Sequence, residues 1–148
     1  MSKFHLTIDS SELAVQIANL INSGGQLRIK LTPYGILRSG IEYVIETYGE
    51  KVAGVIGLEK QHPKVTELKH LCVAPDFRRK GIGRKLLEKG ILASKTTFVY
   101  GTVRSDNLVN IRNNLRIGMR PIGYKMGHGC HIIIFARRRD GIYRRKSS

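Results

Sequence analysis

In the stretch VAPDFRRKGIGRKLL, residues 73–87, five cations surround two glycines: Arg78, Arg79, Lys80, Arg84 and Lys85 stand about Gly81 and Gly83, just after an apolar run. Glycine lets a backbone approach an anion closely. Where such a turn opens a helix, successive N–H groups and the helix dipole converge on one point. With the cations added, this is chemistry for a diphosphate. The spacing excludes two common phosphate loops. No G-x-x-x-x-G-K-[ST] run occurs, and Leu86 stands where a third glycine would complete G-x-G-x-x-G. The two glycines alone fit a tightly packed helix start at least as well.

The other reactive side chains say less. Cys72 and Cys130 lie in apolar stretches, no C-x-x-C occurs, and reduced core thiols are the expectation. His128 and His131 flank Cys130, but a glycine-rich turn with incidental histidines is the better reading, so no metal site is expected.

The elements that must hold the glycine loop follow from periodicity. KFHLTI alternates as a strand. Asp9 and Glu12 read as a helix cap and its capping-box partner, with Leu13, Ile17, Leu20 and Ile21 on one face and SGG at 23–25 as the stop. QLRIKL reads as a strand stopped by TPYG. IEYVIETY and KVAGVIGLE are strands about a turn at Gly49-Glu50, and QHPK is a second turn. VTELKHLCV alternates, which predicts Glu67, Lys69, Leu71 and Val73 on one face and Leu68, His70 and Cys72 on the other. The glycine loop then opens a helix with Ile82, Leu86, Leu87 and Ile91 as its stripe. TTFVYGTV is a strand. A helix capped by Ser105 or Asp106 shows Leu108, Ile111 and Leu115 on one face and ends at Gly118. MRPIGYKM and CHIIIFARRR close the fold as strands. The pattern is α/β or α+β, a central sheet flanked by helices. One domain over residues 1–139 and a basic tail over 140–148 are expected.

At 148 residues with 41% hydrophobic composition, the chain is globular and long enough for a core. No apolar run is long enough to cross a bilayer, and MSKFHLTIDSSE lacks an apolar leader core. A cytoplasmic protein without membrane partners is the expectation. The net charge of +15 is uneven: residues 1–70 carry 8 Lys/Arg against 7 Asp/Glu, and residues 71–148 carry 18 against 4. That asymmetry predicts an anionic partner for the second half.

The segment HLCVAPDFRRKGIGRKLLEKG resembles the acetyl-CoA-binding motif of the GNAT superfamily of N-acetyltransferases: V-x-P, an aromatic, then R/Q-x-x-G-x-G/A opening a helix with Leu-Leu. It supplies Val73, Pro75, Phe77, Arg78, Gly81, Gly83, Leu86 and Leu87 at those places. The family's second motif, N-x-x-A-x-x-L-Y-x-K-x-G-F, has a counterpart in NLVNIRNNLRIGM, which keeps Asn107, Gly118 and an apolar Met119. The resemblance covers about two-thirds of the chain. Residues 22–40 depart from it, because the family has a second helix where QLRIKL reads as strand.

The resemblance implies a mixed, mostly antiparallel sheet that splays in the middle. Acetyl-CoA would lie in the gap between the strands at 67–73 and 97–103. Backbone groups of Leu71, Cys72 and Val73 would pair with the pantetheine arm. Arg78, Arg79, Lys80, Gly81, Ile82, Gly83 and Arg84 would hold the diphosphate, and Asn107 belongs to the same cofactor-binding set. An amine would attack the thioester directly, which requires a neutral nucleophile and favours a general base. Some members place a Glu six residues before the Val, here Glu67, although a strand carboxylate paired with Lys69 fits equally. His70 has a suitable pKa range but sits among Leu68 and Cys72 as a packed histidine would. The family's general-acid Tyr is replaced by Asn114, and its Ala by Asn110. Tyr124 is the expected substitute acid, with Tyr100 the other phenol on a neighbouring strand. The excess of basic charge makes nucleic acid or a nucleic-acid-bound protein the attractive acceptor. A CoA- or nucleic-acid-binding module without turnover is the alternative. Nothing in the sequence determines the oligomeric state, and a homodimer is compatible with it.

Overall fold

The structure, a computed structural model, describes residues 10–24, 30–127 and 129–140. The expected strand at 3–8, the Asp9 cap, His128 and the tail from 141 onward lie outside the described residues. The chain runs α1 (Ser10–Ser23), α2 (Pro33–Arg38), β1 (Glu42–Tyr48), β2 (Lys51–His62), β3 (Val65–Val73), a 3-10 turn (Pro75–Phe77), α3 (Ile82–Ala93), β4 (Phe98–Arg104), α4 (Leu108–Arg116), β5 (Arg120–Met126) and β6 (His131–Arg138).

Six strands form one sheet in the order β1-β2-β3-β4-β6-β5. Every neighbouring pair is antiparallel except β3 and β4, which run parallel. The sheet is mixed, mostly antiparallel, and covered by helices on both faces, as the resemblance implied. On one face α3 packs Ile82, Leu86, Leu87 and Ile91 against Ile56, Leu58, Leu68 and Phe135. On the other, α1 packs Ala14, Ile17, Ala18 and Ile21 against Tyr43, Ile45 and Val55. Burial on both faces explains why β2 reads as a nearly unbroken apolar run rather than an alternating one. Gly54 lets α3 sit close to β2: a Cβ there would lie 2.8 Å from Leu86 Cδ1 and 3.2 Å from the Cys72 carbonyl oxygen.

Three local expectations are corrected. First, TPYG is not a turn but the start of α2. Pro33 occupies the first helical turn, and Thr32 Oγ1 accepts from Gly35 N at 2.9 Å. Of the expected strand QLRIKL, residues 26–29 lie outside the described residues, and Lys30 and Leu31 are irregular. The reason is visible at Leu31, whose N–H donates to Asn22 Oδ1 and whose carbonyl accepts from Asn22 Nδ2, both at 2.8 Å. One side chain satisfies the groups that a sheet ladder would have used.

Second, β3 does not alternate throughout. Gly57 faces Lys69 and Val55 faces Cys72, so Ile56 stands opposite two residues, His70 and Leu71. This bulge, with His70 at φ 60°, shifts the phase by one. Leu71 and Val73 therefore join Leu68 against the α3 core, while Cys72 packs toward α1 and His70 stacks on Tyr43.

Third, α4 is turned over. Leu108 and Leu115 are exposed, only Ile111 of the expected stripe packs on the core, and Asn114 is buried. The cap is Asn107, whose side chain accepts from Asn110 N at 3.1 Å, not Ser105 or Asp106. Past its end, Ile117 and Met119 are buried and anchor the chain.

Candidate functional site

The parallel ladder of β3 and β4 begins at Val65 with Phe98 and stops at Leu68 with Gly101. Beyond that point β3 continues on β2 to Val73, and β4 continues on β6 to Arg104, so the two strands part. Gly101 sits at the apex, where a Cβ would lie 3.3 Å from the Leu68 carbonyl oxygen. The gap opens into a cleft of about 880 Å³, walled by Glu67–Val73 on one side and by Gly101–Arg104 and α4 on the other. Among the described residues, the β3 edge from Lys69 to Val73 has no strand partner on the β4 side.

At the wide end the chain turns through the 3-10 segment into α3. Arg79 (φ 65°) and Gly81 (φ 78°) both take left-handed backbone, and Gly81 caps α3 without any side-chain bond. The first internal bond of α3 runs from Lys85 N to Gly81 O at 3.1 Å. The N–H groups of Ile82, Gly83 and Arg84 thus have no intrahelical acceptor. Gly83 lies where helix, strand and α4 meet: a Cβ would be 3.4 Å from Asn113 Nδ2 and 3.9 Å from Val73 Cγ2. Arg78 Nε donates to the Val73 carbonyl at 3.1 Å and pins the loop to the end of β3. Arg78, Arg79, Gly81, Ile82 and Gly83 line the cleft. Lys80 and Arg84 are exposed and stand outside its lining.

At the apex stands Glu67. Its Oε1 accepts from Gln61 Nε2 at 2.9 Å and from the Tyr100 hydroxyl at 3.3 Å, with Lys69 Nζ at 3.9 Å. Lys69 is held more closely by Glu59, at 2.7 Å. Burial and the neighbouring Glu67 carboxylate raise the Tyr100 pKa, so its proton stays on. His70 lines the cleft beside this group, and burial, then Lys69, lowers its pKa. The Cys72 thiol donates to the Leu20 carbonyl at 3.3 Å, and burial raises its pKa, so it is not a nucleophile in waiting.

Of the α4 wall, only Asn107 was expected to bind the cofactor. Asn107, Asn110, Asn113 and Asn114 all line the cleft. Three asparagines within the nine residues of α4, all poor helix formers, were a legible signal that this face does something other than pack. Tyr124 is elsewhere. It lies on the wholly exposed β5, 72% accessible and edge-on to His131, and the cleft is lined without it. Tyr100 is the phenol at the splay. Among the described residues no cluster of His, Cys, Asp or Glu could hold a metal.

The basic segment 136–139 also has internal work. Arg137 donates to the Ile117 carbonyl at 2.7 Å, just past α4. Arg139 donates to the Leu92 and Ser94 carbonyls at 2.6 and 2.8 Å, at the end of α3. Both satisfy carbonyls that helix ends leave over. Lys85 and Lys89 of α3 meet the buried Glu46 at 3.7 and 2.5 Å. Part of the charge excess is consumed inside the fold.

Known structures share this architecture at low identity. The yncA protein of Salmonella typhimurium, solved with its cofactor acetyl-CoA, matches with a TM-score of 0.75 at 15% identity, over 93% of this chain and 95% of that one. A ribosomal-protein-alanine N-acetyltransferase from Brucella melitensis matches at 0.72 and 16%, over 93% and 98%. A phosphinothricin acetyltransferase from Sinorhizobium meliloti, in complex with acetyl-CoA, matches at 0.72 and 15%, over 86% and 84%. No curated protein is matched by the sequence. The model of the acetyltransferase (GNAT) family matches residues 25–118, which include the splay, the glycine loop and α4. By that match, and with the fold to accord with it, the chain belongs to the GNAT acetyltransferase family.

Proposed function

We propose that the protein is an N-acetyltransferase that uses acetyl-CoA as co-substrate and passes the acetyl group directly to an amine. The observation that carries this reading is the splay between β3 and β4, with the uncapped start of α3 at its wide end and Glu67 with Tyr100 at its apex. The N–H groups of Ile82 to Arg84, with Arg78 and Arg79, suit a diphosphate. The open β3 edge suits the amides of an extended arm, as a strand would. Acetyl-CoA supplies an activated acyl thioester. Glu67 takes the proton of the incoming amine, and a backbone N–H of the β3 edge donates to the oxyanion.

The apex of the cleft carries the Glu67 carboxylate, while Lys69 beside it is paired with Glu59, so the acceptor end suits an amine better than a polyanion. The nucleic-acid acceptor suggested by charge alone draws little support here, because Arg137, Arg139, Lys85 and Lys89 are engaged within the fold. A small or peptide amine is the acceptor we favour. The second reading, a CoA-binding module without turnover, rests on Asn114 standing where the family has its acid.

The test is calorimetry with CoA. Gly83→Asp sets a carboxylate against the diphosphate and should abolish binding while the fold persists; unchanged affinity refutes the assignment. With a panel of amines, Glu67→Gln should slow transfer most at moderate pH and recover at high pH, where free amine is abundant. A uniform small loss at every pH would make Glu67 structural, and CoA binding with no turnover on any amine would leave the module reading.

A further inference from the structure

The α4 wall of the cleft carries an oriented pair of amides that the proposed mechanism leaves unused. Asn114 is 3% accessible. Its Nδ2 donates to the Asn110 backbone carbonyl at 2.8 Å and to Asn110 Oδ1 at 3.2 Å. The first bond fixes which end of the Asn114 amide is nitrogen, since a carbonyl can only accept. The second fixes Asn110 in turn: its oxygen faces Asn114, and its NH₂ faces away. Asn110 is half-buried and lines the cleft. A buried helix residue thus serves to aim two N–H donors of its neighbour.

An amide is far too weak an acid to protonate anything at neutral pH, but it donates well to an anion. In acyl transfer from a thioester the anion that forms is the leaving thiolate. The phenol at the apex is a poor alternative, since Tyr100 is bonded to Glu67 and its proton is firmly held. We propose that Asn110 is a catalytic residue whose Nδ2–H holds the departing CoA thiolate as an anion, and that Asn114 is the residue that positions it. This rests on the acetyl-CoA reading above. The amine lone pair forms the C–N bond, and the amine proton goes to Glu67 and then to water. The C–S bond breaks with its electron pair on sulfur, and the thiolate leaves the cleft unprotonated. Atoms and charge balance without an internal acid.

The test needs no acceptor. The thiol of bound CoA is titrated by the ultraviolet absorbance of its thiolate, with desulfo-CoA as the sulfur-free control. A hydrogen bond to a charged group is worth enough to lower that pKa by about one unit relative to free CoA, a tenfold gain in thiolate. Asn110→Ala, a change the helix tolerates well, should return the pKa to the free value while desulfo-CoA still binds. Asn110→Asp keeps the shape but reverses the sign, so the bound thiol should titrate above free CoA. Asn114→Leu should also erase the shift, because the aimed amide is released. A bound thiol that titrates like free CoA in the unaltered protein overturns the proposal and leaves the CoA site standing. If neither CoA nor desulfo-CoA binds, the acetyl-CoA reading falls and takes this proposal with it.

Discussion

The helices α3 and α4 frame the same cleft and obey different rules. α3 buries Ile82, Leu86, Leu87 and Ile91, the stripe that its 3.6-residue period predicts. α4 exposes Leu108 at 65% and Leu115 at 45% while it buries Asn114. α3 has twelve residues on an apolar sheet, so the area it removes from water dictates its rotation. α4 has nine residues, and its rotation is set at its ends by the Asn107 cap and by Ile117 and Met119 beyond it. A short helix tied at both ends turns as its anchors require. Its inward face is then available for polar groups, provided they bond to one another, as Asn114 and Asn110 do.

The sharpest break of this comparison is a pair of identical truncations. Leu86→Ala in α3 should cost roughly 2–5 kcal/mol, because Leu86 is fully buried. Leu115→Ala in α4 should change stability by less than about 0.5 kcal/mol. Urea unfolding measures both, and equal losses would mean that α4 packs through its leucines after all.

A middling effect is expected where the two helices end. Arg139→Gln and Arg137→Gln each remove a guanidinium from carbonyls beyond α3 and α4, at about 1–2 kcal/mol. If these arginines instead served a polyanion, both variants would keep their stability and lose salt-dependent DNA affinity.

The smallest effect concerns the β3 wall facing α4. His70 is stacked on Tyr43 with Lys69 and Glu59 near, and burial foremost lowers its pKa from 6.5. Below pH 6.5 the unfolded chain therefore binds a proton that the folded chain resists, and stability falls as pH falls toward the folded value. His70→Asn accepts the left-handed backbone and removes the titration, so its thermal stability should decline less steeply below pH 6.5. Matching slopes would show that His70 charges freely in the fold.

Much of the molecule was legible beforehand. The hairpin of β1 and β2 announced itself through Gly49, the α3 stripe through its spacing, and the loop that opens α3 through glycines among cations. The His70 bulge was not legible, because alternation is a local pattern and a bulge answers to the partner strand. Nor was α2, because Asn22 reaches nine residues along the chain to take both backbone groups of Leu31.

By itself, then, the sequence determined the elements whose cause lies within a few residues: periodic apolar faces, glycine turns and the cation-rich loop that opens α3. It also carried the motif of the family. Only the tertiary structure decided which wall faces which. It set Glu67 against Tyr100, left Tyr124 on an outer strand, turned the asparagines of α4 inward, and bent Arg137 and Arg139 back onto helix ends. Those outcomes depend on contacts between residues far apart in the chain, where packing and the need to satisfy every buried polar group outweigh local preference.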